Sequence, residues 1–355
     1  MGIYDREYVR VGPRSQSGLG SLGGVSVNTW IIVATIAVFV LDAFLAGYAS
    51  PVWINDVHVA PNADPRYVTG APQVHDALGK VYLPPAYPGL VHSSAPLYQP
   101  LIDSRTGEAI GLAQVSIMTP FQKWGHFSTA LGFFRLELWR FLTFQVLHAN
   151  ITHLLFNMFG LWVFGGMVEQ YLGGKRYLAF YLTCGIFGAV SYLVLNFLGN
   201  AAPAALPALL PNSVYTPLIG ASAGVFGVIM ACAFIAPNAR VMLLFPPIPL
   251  KLKWMAYGYV ILAAWNLLRG GVNAGGDAAH IGGAIAGAFF IRHAHLLRDF
   301  FDVFGPRRGG GRGRRGDVAS TEVDRILSKV ARDGLRSLSE EERRVLQQAS
   351  SRMRR

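Results

Sequence analysis

Charge is scarce in this chain. Of its 355 residues only 14% are charged, 31 basic and 20 acidic, while 52% are hydrophobic. Soluble domains carry about a quarter charged residues, so the composition argues against that class and for a membrane protein. Cysteine is nearly absent. Cys184 and Cys232 stand in apolar runs with no CxxC spacing and no histidine-rich company. That pattern argues against a disulfide framework or a zinc finger and leaves both as small buried hydrophobes.

What is present is a set of long apolar runs. A bilayer core about 30 Å thick needs about 20 apolar helical residues to cross it. Six stretches meet or approach that length: 28–48, 139–168, 177–198, 218–237, 252–268 and 278–297. The first follows a basic N-terminus and ends at Gly47-Tyr48-Ala49. Its small-x-small ending suits a signal peptidase, but its apolar core exceeds that of a signal peptide, so an uncleaved span is expected. Asp42 lies near its far end, where the cost of an intramembrane carboxylate falls.

Basic residues give the direction. Arg6, Arg10 and Arg14 precede the first span; Lys175 and Arg176 lie between the second and third; Arg240, Lys251 and Lys253 lie between the fourth and fifth. About half of all Lys and Arg follow Leu297. In a six-span arrangement these segments share one side, which the positive-inside rule makes cytoplasmic. The expectation is an all-α membrane protein, a six-transmembrane-helix bundle in a bacterial cell membrane with both termini cytoplasmic. Its parts are an N-terminus (1–27), a first transmembrane helix (28–48), a large outer insertion loop (49–138), a core of five further spans (139–297), a basic flexible linker (298–317) and a cytoplasmic helical hairpin tail (318–355).

Inside the insertion, "LYQPLIDSRTGEAIGLAQVSI" alternates around a glycine-containing turn and predicts a hairpin. His58, His75, His92 and His126 lack ligand spacing there and read as solvated loop residues. The linker "GPRRGGGRGRRGD" directly follows a span end, so its arginines are expected at anionic lipid headgroups rather than on RNA. In the tail, Thr321 with Asp324 and Ser339 with Glu342 resemble capping boxes, with Gly334 placed to end the first helix.

Strongly polar side chains inside spans are functional candidates by default. His153 and Asn157 are i,i+4 on the second span, with His148 five residues before; the fourth span opens with Gly-Ala-Ser-Ala-Gly around Ser222; the sixth carries His280 near its start. Ser222 and His280 fall at similar shallow depth from the outer side. Gly220, Gly224, Gly227 and Ala231 on one span, and Gly283 and Gly287 on the other, supply small-residue stripes that let helix backbones touch. Packed together, these stripes bring the hydroxyl within reach of the imidazole. Alone, a serine at a helix contact is a spacer and a buried histidine is a core residue. A metal site on His148, His153 and His280 is a further alternative, though it lacks a HExxH pair or a nearby carboxylate.

The pieces "ELWR" (Glu137, Trp139, Arg140), "HANITHLLFN", "GASAG" and "AHIGGAIAG", in this order, resemble the rhomboid family of intramembrane serine proteases. The resemblance covers the first span and about residues 139–297. It implies a six-helix rhomboid-like bundle, with no cofactor and no metal, that cleaves transmembrane protein substrates near their extracytoplasmic end. Ser222 would be the nucleophile and His280 the general base. His153, Asn157 and the Ser222 backbone N–H would meet the oxyanion. Gly220 matches the family's GxS pattern, and Trp139 and Arg140 match the pair that closes the outer loop. Ala223 and Phe226 depart from the common pattern, where many members have Gly and some have Tyr, but neither removes a reacting group. Asp277, three residues before His280, reads as a solvated helix N-terminal residue and stays outside the catalytic set, because the family works with a dyad. A catalytically silent member that binds transmembrane helices is the rival reading. No nucleic-acid partner is expected.

Overall fold

The computed structural model describes residues 24–55, 57–83, 87–91, 96–201, 210, 212–242, 247–271, 273–297, 325–326, 329–330 and 338–353. The chain forms two compact units, Met1–Phe300 and Phe301–Arg355. Among the described residues three helical stretches are long and apolar enough to cross a membrane: Val27–Tyr48, Ile151–Leu172 and Gly174–Ala201.

The first helix, α1 (Val27–Phe44), begins where Ser26 accepts from the backbone N–H of Thr29. Its start is also held from a distance. Val27 and Asn28 donate their backbone N–H groups to the two carboxylate oxygens of Glu169, at 2.8 and 3.0 Å. The buried Asn28 side chain donates to Leu161 O and accepts from Tyr177 Oη at 2.6 Å. Free N–H groups at a helix start require acceptors, and here a carboxylate from another helix supplies them. Asp42, near the other end, is buried. It accepts from Thr119 Oγ1 and from the Phe121 N–H at 3.2 Å, so its intramembrane cost is offset by donors from the end of the insertion.

The insertion corrects the all-α expectation. It holds a seven-stranded antiparallel sheet of β1 (Ser50–Trp53), β2 (His58–Val59), β3 (Val68–Gly70), β4 (Val74–Asp76), β5 (Val81–Tyr82), β6 (Leu97–Asp103) and β7 (Ala109–Met118), in the order β1-β7-β6-β4-β5, with β2 on β7 and β3 on β6. The hairpin predicted from alternation is β6–β7, in register from Leu97 opposite Val115. Leu97, Val115 and Ile117 pack with Ala49, Val74 and Tyr87 into a small core of their own. The partner strands run two to four residues each, too short for a period of two to register in the sequence. His126 is corrected too: it is 2% exposed, its Nδ1 lies 2.8 Å from Gln122 O, and burial pushes its pKa down to about 4. His92 lies outside the described residues.

Two of the expected spans begin later than their apolar runs. In place of one helix over 139–168 there is a short α3 (Arg140–Thr143), after α2 (Pro120–Gly125), then a tight turn over Phe144–Val146 and a fresh start at Asn150. The Asn150 side chain accepts from His153 N at 2.8 Å and caps α4 (Ile151–Gly160). That helix runs through the wider turn Leu161–Gly165 into α5 (Gly166–Leu172). The long α6 (Gly174–Ala201) follows. In place of 218–237, α7 spans only Ser222–Ile235, because Gly220 has φ +136° and Leu218 pairs with Phe127 as an isolated bridge. A short hairpin, β8 (Arg240–Met242) and β9 (Pro249–Lys251), leads into α8 (Leu252–Leu268) and then α9 (Ala274–Arg292).

Helices α6, α7 and α9 touch along glycines. A methyl group on Gly283 would collide with the Ala223 carbonyl, and one on Gly287 with that of Gly227. Cys184 and Cys232 are free and buried in the same apolar core.

In the second unit, α10 (Glu340–Met353) opens with the expected capping box: Glu342 N donates to Ser339 Oγ at 3.2 Å and Ser339 N to Glu342 Oε2 at 2.9 Å. Lys329 Nζ bonds the same carboxylate at 3.0 Å. Thr321, Asp324 and Gly334 lie outside the described residues.

Candidate active site

Ser222 is the first residue of α7 and His280 sits two turns into α9. Their side chains meet, with Ser222 Oγ 2.8 Å from His280 Nε2. Because the glycine contacts at Gly283 and Gly287 leave no side chain between the two helices, this separation is fixed by backbone packing. Phe226, one turn after Ser222, stacks flat on the imidazole, with ring centroids 4.2 Å apart and planes 6° apart. Phe226 thus offers the imidazole an aromatic face without a phenol.

Ahead of Ser222 the backbone turns sharply. The Gly220 N–H donates to Phe144 O at 2.9 Å, and a Cβ on Gly220 would lie 2.8 Å from His153 Cε1. The His153 ring therefore lies directly against the loop that presents Ser222. Asn157, one turn further along α4, is buried and donates one amide proton to His153 O at 2.8 Å, leaving its second proton free for another acceptor. His153, Asn157, Gly220, Ser222, Phe226 and His280 all line one cavity of about 1080 Å³, which continues between apolar side chains such as Phe156, Val163 and Tyr259.

The remaining predicted residues surround this group without entering the cavity lining. His148 precedes α4 rather than lying on it; it is 2% exposed and packs edge-on to His153, with centroids 5.0 Å apart. Arg140 is buried, pairs with Glu137 at 2.6 Å and donates to His126 O at 2.6 Å and Lys123 O at 3.2 Å. Trp139 stacks on Trp124 at 5.8 Å. Together they cross-brace the segment ahead of α4. Among the described residues no group of three or more His, Cys, Asp or Glu side chains is placed to hold a metal ion.

Residues 135–295 match the model of the Rhomboid domain. This segment is a Rhomboid domain. Curated relatives agree. Rhomboid protease GluP of Bacillus subtilis (strain 168) is 30% identical over 215 residues, covering 60% of this chain and 35% of the relative. Rhomboid protease AarA of Providencia stuartii is 32% identical over 176 residues, covering 46% and 59%. Rhomboid protein 1, mitochondrial, of Saccharomyces cerevisiae (strain ATCC 204508 / S288c) is 28% identical over 145 residues, covering 40% and 38%. The matches span between about a third and three fifths of these relatives' own length. Residues 318–352 of this rhomboid match a family of unknown function (DUF6576).

Two residues gain a setting that sequence reasoning did not give them. Phe144 supplies the carbonyl that holds the Gly220 loop, a backbone role with no sequence signal. Asp277, expected at the solvated surface, is 6% exposed, and its Oδ1 lies 3.6 Å from His280 Nδ1. The spacing of three was visible in the sequence. The depth was not, because α9 starts at Ala274, four residues before the apolar run that marked it.

Proposed function

We propose that this rhomboid is an intramembrane serine endopeptidase that cleaves transmembrane substrates near their extracytoplasmic end. The observation that carries the proposal is the 2.8 Å contact between Ser222 Oγ and His280 Nε2. A serine hydroxyl is a weak nucleophile until a base accepts its proton. His280 Nε2 takes that proton as Oγ bonds to the scissile carbonyl carbon, then gives it to the departing amine nitrogen as the C–N bond breaks. Water next loses a proton to His280 while its oxygen attacks the ester. The new carboxyl end leaves and the proton returns to Ser222. The negative oxygen of each tetrahedral intermediate is met by the Ser222 N–H, the His153 imidazole and the free amide proton of Asn157. Donors held ready for that charge supply much of the rate in acyl transfer.

The cavity is large and continues between apolar side chains, which suits an extended, apolar substrate segment. A helix hides its carbonyls in its own hydrogen bonds, so the substrate must unwind locally before attack. Helix-weakening small residues near the cleavage point are therefore favoured. Six spans with both termini cytoplasmic, in a bacterial cell membrane, complete the reading, with the basic segment after the last span near anionic headgroups.

Purified protein in liposomes should cleave a model transmembrane substrate, and Ser222→Ala or His280→Ala should abolish cleavage. Activity that survives either change rules out the dyad. A fluorophosphonate that labels the wild type but not Ser222→Ala separates a protease from a silent helix binder.

A further inference from the structure

Asp277 lies in the first turn of α9, three residues ahead of His280, so both side chains leave the same helix face. An acidic residue at a helix start ordinarily serves the free N–H groups there. Asp277 does not: among the described residues its carboxylate hydrogen-bonds to no first-turn N–H. Its side chain is 8% exposed, against 16% for His280, so neither charge is screened as a surface pair would be. The imidazole is held between two partners. Nε2 faces Ser222 Oγ at 2.8 Å, and Nδ1 faces Asp277 Oδ1 at 3.6 Å. The flat stack on Phe226 limits ring rotation about that line.

We propose that Asp277 is a positioning residue that orients His280 and balances the charge it takes up from Ser222; this rests on the dyad reading above. The carboxylate favours the imidazole tautomer with its proton on Nδ1, which leaves Nε2 free to accept from Ser222. When Nε2 takes the serine proton, the new imidazolium gains an opposite charge 3.6 Å away, close enough for a small side-chain rotation to make a hydrogen bond. The proton on Nδ1 stays there throughout. Asp277 changes no bond and touches no reacting atom. The other titratable groups around His280 are His153 on α4, Tyr259 on α8 behind Phe226, and Tyr192 on α6 against Gly275. None of them is a carboxylate, so among the described residues around His280 Asp277 is the one acidic side chain.

The test measures cleavage of a reconstituted transmembrane substrate by the wild type, Ser222→Ala, Asp277→Asn and Asp277→Glu across the pH range in which histidine titrates. Asp277→Asn should lower kcat by at least about tenfold with KM little changed, and the acidic limb of the kcat profile should move to lower pH, because the imidazolium has lost its counter-charge. Asp277→Glu should keep the limb in place and recover part of the rate. The proposal is overturned by an Asn variant with wild-type kcat and an unmoved limb. Equal loss in the Asn and Glu variants with no movement of the limb overturns it too, because that is the signature of a packing role. Cleavage that persists in Ser222→Ala would instead refute the dyad itself, which keeps the two failures apart.

Discussion

Gly283→Ala tests the central packing claim with a single methyl group. A Cβ at Gly283 would lie 2.7 Å from the Ala223 carbonyl carbon and 3.0 Å from its Cα, and closer still to the carbonyl oxygen. Ordinary van der Waals contact begins at 3.4 Å, so α7 and α9 must part by about 0.7 Å or more at this crossing. The obstacle is backbone, which cannot rotate away as a side chain can. Ser222 adjoins Ala223 and His280 is one turn from Gly283, so the same displacement stretches the 2.8 Å Ser222–His280 contact past hydrogen-bond length. A misplacement of about 1 Å costs about 10²-fold in rate, and overpacking adds about 1–3 kcal/mol of destabilisation. Gly258 in α8 is the control: nothing lies within 4 Å of its Cβ position, and alanine there gains helix propensity of about 1 kcal/mol. Both variants are compared with the wild type in initial-rate cleavage of a reconstituted substrate, with thermal unfolding in detergent alongside. Gly283→Ala with kcat within twofold of wild type would refute the reasoning, whatever its melting temperature.

His153→Ala and Asn157→Ala should each lower kcat by about 10²–10³-fold while leaving fluorophosphonate labelling of Ser222 detectable, because in the proposed mechanism each removes one oxyanion donor and neither removes the base. Glu169→Gln weakens the two hydrogen bonds at the start of α1 and should destabilise the fold by about 1–3 kcal/mol in denaturant unfolding, with faster hydrogen exchange confined to the first turn of that helix. His126 is buried with its pKa near 4, against 6.5 when exposed. Its folded form binds its proton less readily than the unfolded chain, so stability is complete above about pH 6.5 and falls as pH drops toward 4. The loss approaches about 3 kcal/mol, and unfolding of His126→Gln compared at pH 7 and pH 5 should show a smaller loss.

The helix that sequence located best is α8, whose apolar run ends abruptly at lysines on one side and at Arg269 on the other. Hydropathy failed where an apolar run holds more than one conformation. Residues 218–221 are as apolar as the helix they precede, and only the Gly220 backbone reveals the break there; in 139–150 apolar residues alternate with Arg140, Gln145 and His148, and the Asn150 cap marks the new start. The sheet of the insertion was legible as one hairpin, since β6 and β7 alone are long enough to alternate. Ser222 and His280 could be paired in advance because small residues on two spans predict close backbones. The burial of Asp277 and His126 could not, since it comes from the neighbours that tertiary packing brings over them.

The late start of α7 has a consequence for how the protein meets its solvent. Fourteen residues rise about 21 Å, some 9 Å less than a hydrocarbon slab of 30 Å demands. Residues 218–221 come before α7 as non-helical chain, with the Leu218 and Gly220 amides bonded to the carbonyls of Phe127 and Phe144. In the proposed six-span reading, a spanning element truncated in this way would turn its N-terminal end, with its positive dipole and uncommitted amides, into an inward-facing rim below the headgroups. Negative charge that water alone could otherwise stabilise gains a fixed electrostatic host at that depth.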